Sequence, residues 1–205
     1  LGSEGVFTES SPYQPRSPYA ASKAASDHLV RAWAETYGIP SVISNCSNNY
    51  GPYQYPEKLI PVVIGRALHD EAIPVYGSGS NVRDWLYVDD HARALLLILK
   101  RGISGRTYNV GGAAERTNIS VVQAICNCLD QRQPRQNGNS YADLISFVPD
   151  RPGHDFRYAI DSSRIQNELG WQRRETFLSG LEKTVQWYLD HQDWVKAVLE
   201  PGGAG

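Results

Sequence analysis

Ser17-Pro-Tyr-Ala-Ala-Ser-Lys23 opens and Tyr37-Gly-Ile-Pro-Ser-Val-Ile-Ser-Asn-Cys46 closes the stretch that decides the fold class. Ser17 is a good N-cap, Pro18 suits the first helical position and Gly38 supplies a helix stop, so a helix is predicted over 18–37. Pro40 to Cys46 then reads as a buried strand, and a helix followed by such a strand is one step of an α/β sheet. The turn-rich Asn48-Asn-Tyr-Gly-Pro52 follows at that strand's C-terminal end, where open α/β sheets place their ligands. On the helix, Tyr19 sits in the first turn and Lys23, four residues on, shares its face. A phenol titrates at about pH 10 unless a nearby cation favours the phenolate, so a Tyr–Lys pair at this spacing can act as a general base toward a sugar hydroxyl. Taken alone, the pair also reads as two surface residues of an amphipathic helix.

The composition is that of an ordinary globular chain of 205 residues, long enough to bury a real core. Twenty basic against 22 acidic residues leave a net charge of −2 with no basic cluster. Neither nucleic acid nor a membrane surface is therefore expected as a partner. The longest apolar run, Ala94 to Leu99, is too short to span a bilayer, and the default expectation is a cytoplasmic protein. Cys46, Cys126 and Cys128 lack the paired spacing of a zinc site and read as reduced packing residues; no metal is expected. The chain contains no Met and opens in a polar loop, Leu1 to Arg16, which predicts a fragment whose N-terminal half is missing.

Further helices are predicted at Leu59–Asp70, Asp90–Arg101, Val121–Asp130 and Phe177–His191, and a short one capped by Asp161 or Ser162 ends before Gly170. Strands are predicted at Ile73–Tyr76, Trp85–Val88, Thr107–Val110 and Ile145–Val148, with 131–144 a surface loop. Regular α/β order gives way after Leu59 to shorter mixed elements. The division expected is a first unit over 1–58, a second over 59–196 and a disordered tail over 197–205.

Polar clusters recur at turns and strand ends, and together they present Lys58, Arg83 and Arg151 beside aromatic and amide groups, a set suited to a phosphorylated, hydroxyl-rich ligand. Tyr19-Ala-Ala-Ser-Lys23, Asn48-Asn-Tyr-Gly-Pro52, Pro56-Glu-Lys-Leu-Ile-Pro61, Arg83-Asp-Trp-Leu-Tyr-Val-Asp-Asp90, Tyr108-Asn-Val-Gly-Gly112 and Asp150-Arg-Pro-Gly-His-Asp155 resemble, in this order, the second half of an extended short-chain dehydrogenase/reductase. More narrowly they resemble the branch that dehydrates dTDP-glucose at C4 to C6 with bound NAD. The resemblance runs from about Phe7 to Val195. It implies the C-terminal part of a Rossmann-type doubly wound parallel sheet, carrying the Tyr-x-x-x-Lys helix, plus a smaller mixed α/β domain for the nucleotide sugar.

The resemblance further implies that Tyr19 deprotonates the glucose C4 hydroxyl while Lys23 lowers the phenol's pKa and holds the nicotinamide ribose. Asn48 would touch the substrate and Asn49 the cofactor; Lys58 and Leu59 would line the sugar nucleotide. Pro74, Val75 and Tyr76 would flank the base, and Arg83, Asn118, Arg151 and His154 would grip the diphosphate and nucleoside. The glycine-rich pyrophosphate turn and the family's Thr-Asp-Glu are absent from the sequence, and Glu4 and Glu9 stand in the wrong context to replace them. A sister epimerase or decarboxylase, or a sugar-nucleotide-binding module without catalysis, are the competing readings.

The helix over 18–37 also carries a second stripe, Ala25, Leu29, Trp33 and Tyr37, away from Tyr19 and Lys23. One helix cannot bury both faces within this chain. A homodimer built on that stripe is expected, with an exposed apolar patch wherever it is uncovered.

Overall fold

The computed structural model describes residues 5–150 and 156–200. Helix α1 spans Pro18–Tyr37, with the Ser17 hydroxyl accepting from the Ala20 N–H and Gly38 closing it in the left-handed conformation. Strand β1 (Ile43–Cys46) follows, then β2 (Asn48–Tyr50), α2 (Leu59–Leu68), β3 (Ile73–Tyr76), β4 (Val82–Tyr87) and α3 (Val88–Arg101). Next come β5 (Thr107–Val110), β6 (Glu115–Thr117), α4 (Asn118–Arg132), a 3-10 turn (Tyr141–Leu144) and β7 (Ile145–Val148). The chain finishes with β8 (Arg157–Tyr158), α5 (Ser163–Leu169), α6 (Phe177–Asp190) and α7 (Gln192–Leu199). The result is a mixed α/β fold. Strands pair in parallel as β1 with β5, β2 with β4, β3 with β7 and β4 with β8, and β6 runs antiparallel to β4.

Several boundaries differ from the sequence reading, each for a tertiary reason. β1 begins at Ile43, whose N–H makes the first ladder bond to the Arg106 carbonyl, whereas Pro40 has no N–H to give. Asn48–Tyr50, read as a turn, is a strand because Trp85–Tyr87 supplies its ladder. β4 starts at Val82 since Val82 and Arg83 pair with β6 and β8. The loop expected over 131–144 contains the last residues of α4 and the 3-10 turn, which buries Tyr141. The tail expected from 197 overlaps α7, where Trp194 and Val195 rest against the main core; residues 201–205 lie outside the described residues.

Two apolar clusters organise the interior. The larger gathers β2, α2, β3, α4 and α6 around Tyr50, Ile64, Ile73, Ile125, Leu129 and Leu181. The smaller joins β5, α3 and α5 through Ala94, Ile98, Tyr108, Val110, Ile165 and Trp171. β1 leans on this smaller cluster through Val42 and Cys46, so the β1–β5 pair draws 107–110 alongside 43–46 across residue 58. Helix α1 contributes almost nothing to either. Ala24 is its one buried residue, while Leu29, Trp33 and Tyr37 are more than half exposed. Among the described residues no helix is long and apolar enough to cross a membrane.

Candidate active site

The capped start of α1 fixes where Tyr19 and Lys23 stand. Pro18 and the Ser17 cap begin the helix one residue before Tyr19, and the Ser22 and Ser26 hydroxyls fold back on the carbonyls of Tyr19 (2.8 Å) and Lys23 (2.7 Å). Both functional side chains therefore leave the helix toward solvent; Tyr19 is 76% exposed. Burial pushes the Cys46 thiol's pKa up, against smaller downward pulls led by the hydrogen bond from the Asn49 amide.

At the C-terminal end of β1 the chain turns through Ser47 into β2. The Asn49 amide spends its NH2 on the Ser47 carbonyl (3.1 Å) and the Cys46 sulfur (3.2 Å). A donor aimed at a carbonyl oxygen fixes which end of the amide is which. Its Oδ1 is buried and has no partner. Asn48, one residue earlier, is exposed. Cys46, Ser47 and Asn49 thus form one group.

A second group collects at the other end of the chain's polar motifs. The Gly79 N–H donates to the Tyr76 carbonyl, the Ile119 N–H to Gly79 and the Asn118 N–H to Asn81, so Tyr76, Asn81, Arg83 and Asn118 surround one strand-and-helix junction. Gly79 has φ of +70°, and a Cβ there would come within 2.7 Å of Val75 and 2.9 Å of Ile119, so only glycine lets α4 start this close. The half-buried Arg83 guanidinium donates to the Val82 carbonyl at 2.8 Å. Pro74 and Tyr76 alternate with Ile73 and Val75, and the Val75 side chain points into the main core. Lys58 precedes α2, exposed and 2.7 Å from Glu57, with Leu59 half-buried behind it. Arg151 and His154 lie outside the described residues. A cavity of about 520 Å³ between Arg31, Glu35, Gly38–Ser41 and Arg106 contains none of these residues.

Two aspartates that sequence reasoning passed over as motif letters hold the junctions. Asp84, almost wholly buried, accepts from the Gly112 N–H (2.9 Å) and the Ala114 N–H (2.6 Å), and burial still leaves its pKa raised. Gly112 must be glycine, because a Cβ would sit 1.8 Å from the Trp85 carbonyl. Asp90 accepts from the backbone N–H groups of Arg174 and Glu175 and from Arg93, fastening the approach to α6 onto α3. The available signal was that both flank the apolar run Trp85-Leu-Tyr-Val88, where the chain enters and leaves the core. Glu9 is also structural: its carboxylate accepts the Asn109 N–H at 3.0 Å.

The model of a family described as GDP-mannose 4,6 dehydratase matches residues 2–184. A dTDP-glucose 4,6-dehydratase of Xanthomonas campestris pv. campestris is 59% identical over 200 residues, 98% of this chain and 57% of that protein. The crystal structure of dTDP-glucose 4,6-dehydratase from Bacillus anthracis, in complex with NAD, superposes with a TM-score of 0.87 at 45% identity, covering 97% of this chain and 60% of that one. The Streptomyces venezuelae dTDP-glucose 4,6-dehydratase DesIV, also solved with NAD, gives 0.88 at 42% identity, covering 95% of this chain and 58% of that one. The chain spans a little over half the length of the curated relatives it matches.

Proposed function

Since the chain belongs to the GDP-mannose 4,6 dehydratase family, we propose that it carries the Tyr–Lys base and the nucleotide-sugar pocket of a dTDP-glucose 4,6-dehydratase, which converts dTDP-glucose to dTDP-4-keto-6-deoxyglucose. The observation that carries this reading is Asn49. Its NH2 is tied inward and its buried Oδ1 is left open, an acceptor prepared for an N–H or O–H donor. A nicotinamide carboxamide or a ribose hydroxyl meets that need, so Asn49 and Lys23 fit NAD, which when bound supplies a reversible two-electron acceptor.

Tyr19 takes the proton of the sugar C4 hydroxyl, and Lys23, one turn on along the helix, holds the nicotinamide ribose. Asn48, Lys58 and Leu59 orient the sugar, Pro74 to Tyr76 flank the base, and Arg83, Asn118, Arg151 and His154 hold the diphosphate and nucleoside. The β1–β5 side is thereby the cofactor side and the β3–β7 side the nucleotide side. The carboxylates expected for removing water have no counterpart in the sequence, and Glu9 is committed to Asn109. The bare stripe on α1 is the surface of a homodimer, and nucleotide sugar and dinucleotide supply make the cytoplasm its compartment.

Calorimetric titration with dTDP-glucose tests the pocket. Replacing Arg83 by Lys keeps the charge but removes the planar fork, and affinity falls by about tenfold, the worth of one charged hydrogen bond. Failure of the unaltered chain to bind dTDP-glucose rejects the reading, and an unchanged affinity in Arg83→Lys rejects Arg83 as the diphosphate anchor.

A further inference from the structure

Asn49 and Lys58, on the two sides of the proposed site, are the ends of one irregular strap, and the conformation of that strap is unusual. Tyr53 holds φ at +61°, a left-handed backbone that a bulky residue adopts only when its surroundings impose it. What imposes it is aromatic. The Tyr53 ring, still 66% exposed, lies 4.6 Å from the Trp187 ring and 5.5 Å, edge to face, from that of Trp194, and the two tryptophans meet at 5.2 Å.

Gln54 is held as firmly on both sides. Its carbonyl accepts the buried Tyr188 hydroxyl, and its side-chain NH2 donates to the Asn49 carbonyl at 2.9 Å. Its Oε1 is buried without a partner, as Asn49 Oδ1 is. The strap then passes to Lys58, whose N–H donates to the Tyr55 carbonyl at 3.2 Å and whose own carbonyl accepts the first bond of α2 from Val62. Trp187, Tyr188 and Trp194 belong to α6 and α7 and lie beyond the stretch that the family model matches.

We propose that Tyr53, seated on Trp187 and Trp194, and Tyr188, bonded to the Gln54 carbonyl, are positioning residues that set the 49–58 strap and so aim Lys58 and Leu59 at the sugar half of the nucleotide sugar. The role rests on the function proposed above. The nucleotide end, at Tyr76, Arg83 and Asn118, stands on β3, the start of β4 and the start of α4, whereas the strap meets β4 only at its far end, Trp85–Tyr87. The clamp therefore governs the extra affinity that a glucose adds to dTDP, and leaves the affinity for dTDP itself alone.

The test uses the chain with Tyr53→Ala, Tyr188→Phe and, as the conservative control, Tyr53→Phe. Amide hydrogen exchange over 50–58 accelerates about tenfold or more in the first two while α4 amides keep their protection, which shows that the fold survives. In the same variants the Kd for dTDP stays within about twofold, whereas the gain on going to dTDP-glucose shrinks by about fivefold or more. Tyr53→Phe, which keeps the ring, restores both. Unchanged exchange at 50–58, or equal weakening of dTDP and dTDP-glucose, overturns the proposal. If the unaltered chain binds neither ligand, the proposed function fails on its own account, and the exchange result decides whether the clamp holds the strap.

Discussion

Helix α1 and helix α4 are both long, and they live in opposite conditions. α4 buries Val121, Val122, Ile125, Cys126, Cys128 and Leu129 against α2, α6 and the strands beside them, and burial pushes the Cys126 thiol up to about 12. α1 buries Ala24 alone and leaves a Leu, Trp and Tyr stripe in solvent, with Trp33 and Tyr37 resting on each other at 4.9 Å. Beside it, β1 pairs with β5 on one side and with no described strand on the other. The contrast teaches that the side built on α2, α4 and α6 is held by its own core. The side of α1 and β1 shows an uncovered helix face and, among the described residues, a strand edge.

Substitutions break or sharpen this contrast. Leu129→Ala, at a site with no exposure, costs about 2–5 kcal/mol, whereas Leu29→Ala on α1 changes stability by less than about 0.5 kcal/mol; denaturant midpoints compare the two. Asp84→Asn turns one of two acceptor oxygens into a donor facing an N–H of Gly112 or Ala114 and costs about 2 kcal/mol in the same assay. Trp33→Glu leaves folding alone but sets a charge in the proposed dimer seam, weakening association by about 2 kcal/mol, seen in sedimentation as a shift to monomer. An unchanged sedimentation profile moves the interface elsewhere.

The smallest effect is electrostatic. The Asp161 carboxylate accepts from the Ser163 hydroxyl and N–H, and these bonds hold its pKa below the ordinary carboxylate value. The folded state thus binds this proton less readily than the unfolded chain. The stabilisation is whole above about pH 4 and fades as pH falls through the lowered value. Asp161→Ala costs about 0.5–1 kcal/mol at pH 7, discounted for exposure, and progressively less as pH falls through the lowered value.

Much of this was legible in the residues. The α1 cap at Ser17, its stop at Gly38 and the strands Ile73–Tyr76, Thr107–Val110 and Ile145–Val148 fall where the sequence places them, because caps and apolar runs act locally. β2 and β8 escaped, since Asn-Asn and Arg-Tyr become strands only when β4 offers them a ladder. α7 escaped because its apolar residues make sense only against α6 and Tyr53, the latter far away in the chain. In the site, Tyr19, Lys23 and Asn49 were readable as motif positions. Their geometry was not: the unpartnered oxygens of Asn49 and Gln54 arise from where the partner groups fold, which no local pattern records.

The most direct measurement is calorimetry of the chain with dTDP alone and with NAD alone. The proposed nucleotide pocket stands on the dense side of the molecule, and the sequence has no glycine-rich turn to receive a pyrophosphate on the other. Saturable binding of dTDP without any dinucleotide, together with no saturable heat from NAD, is the predicted result. NAD binding in the absence of dTDP binding would contradict the account.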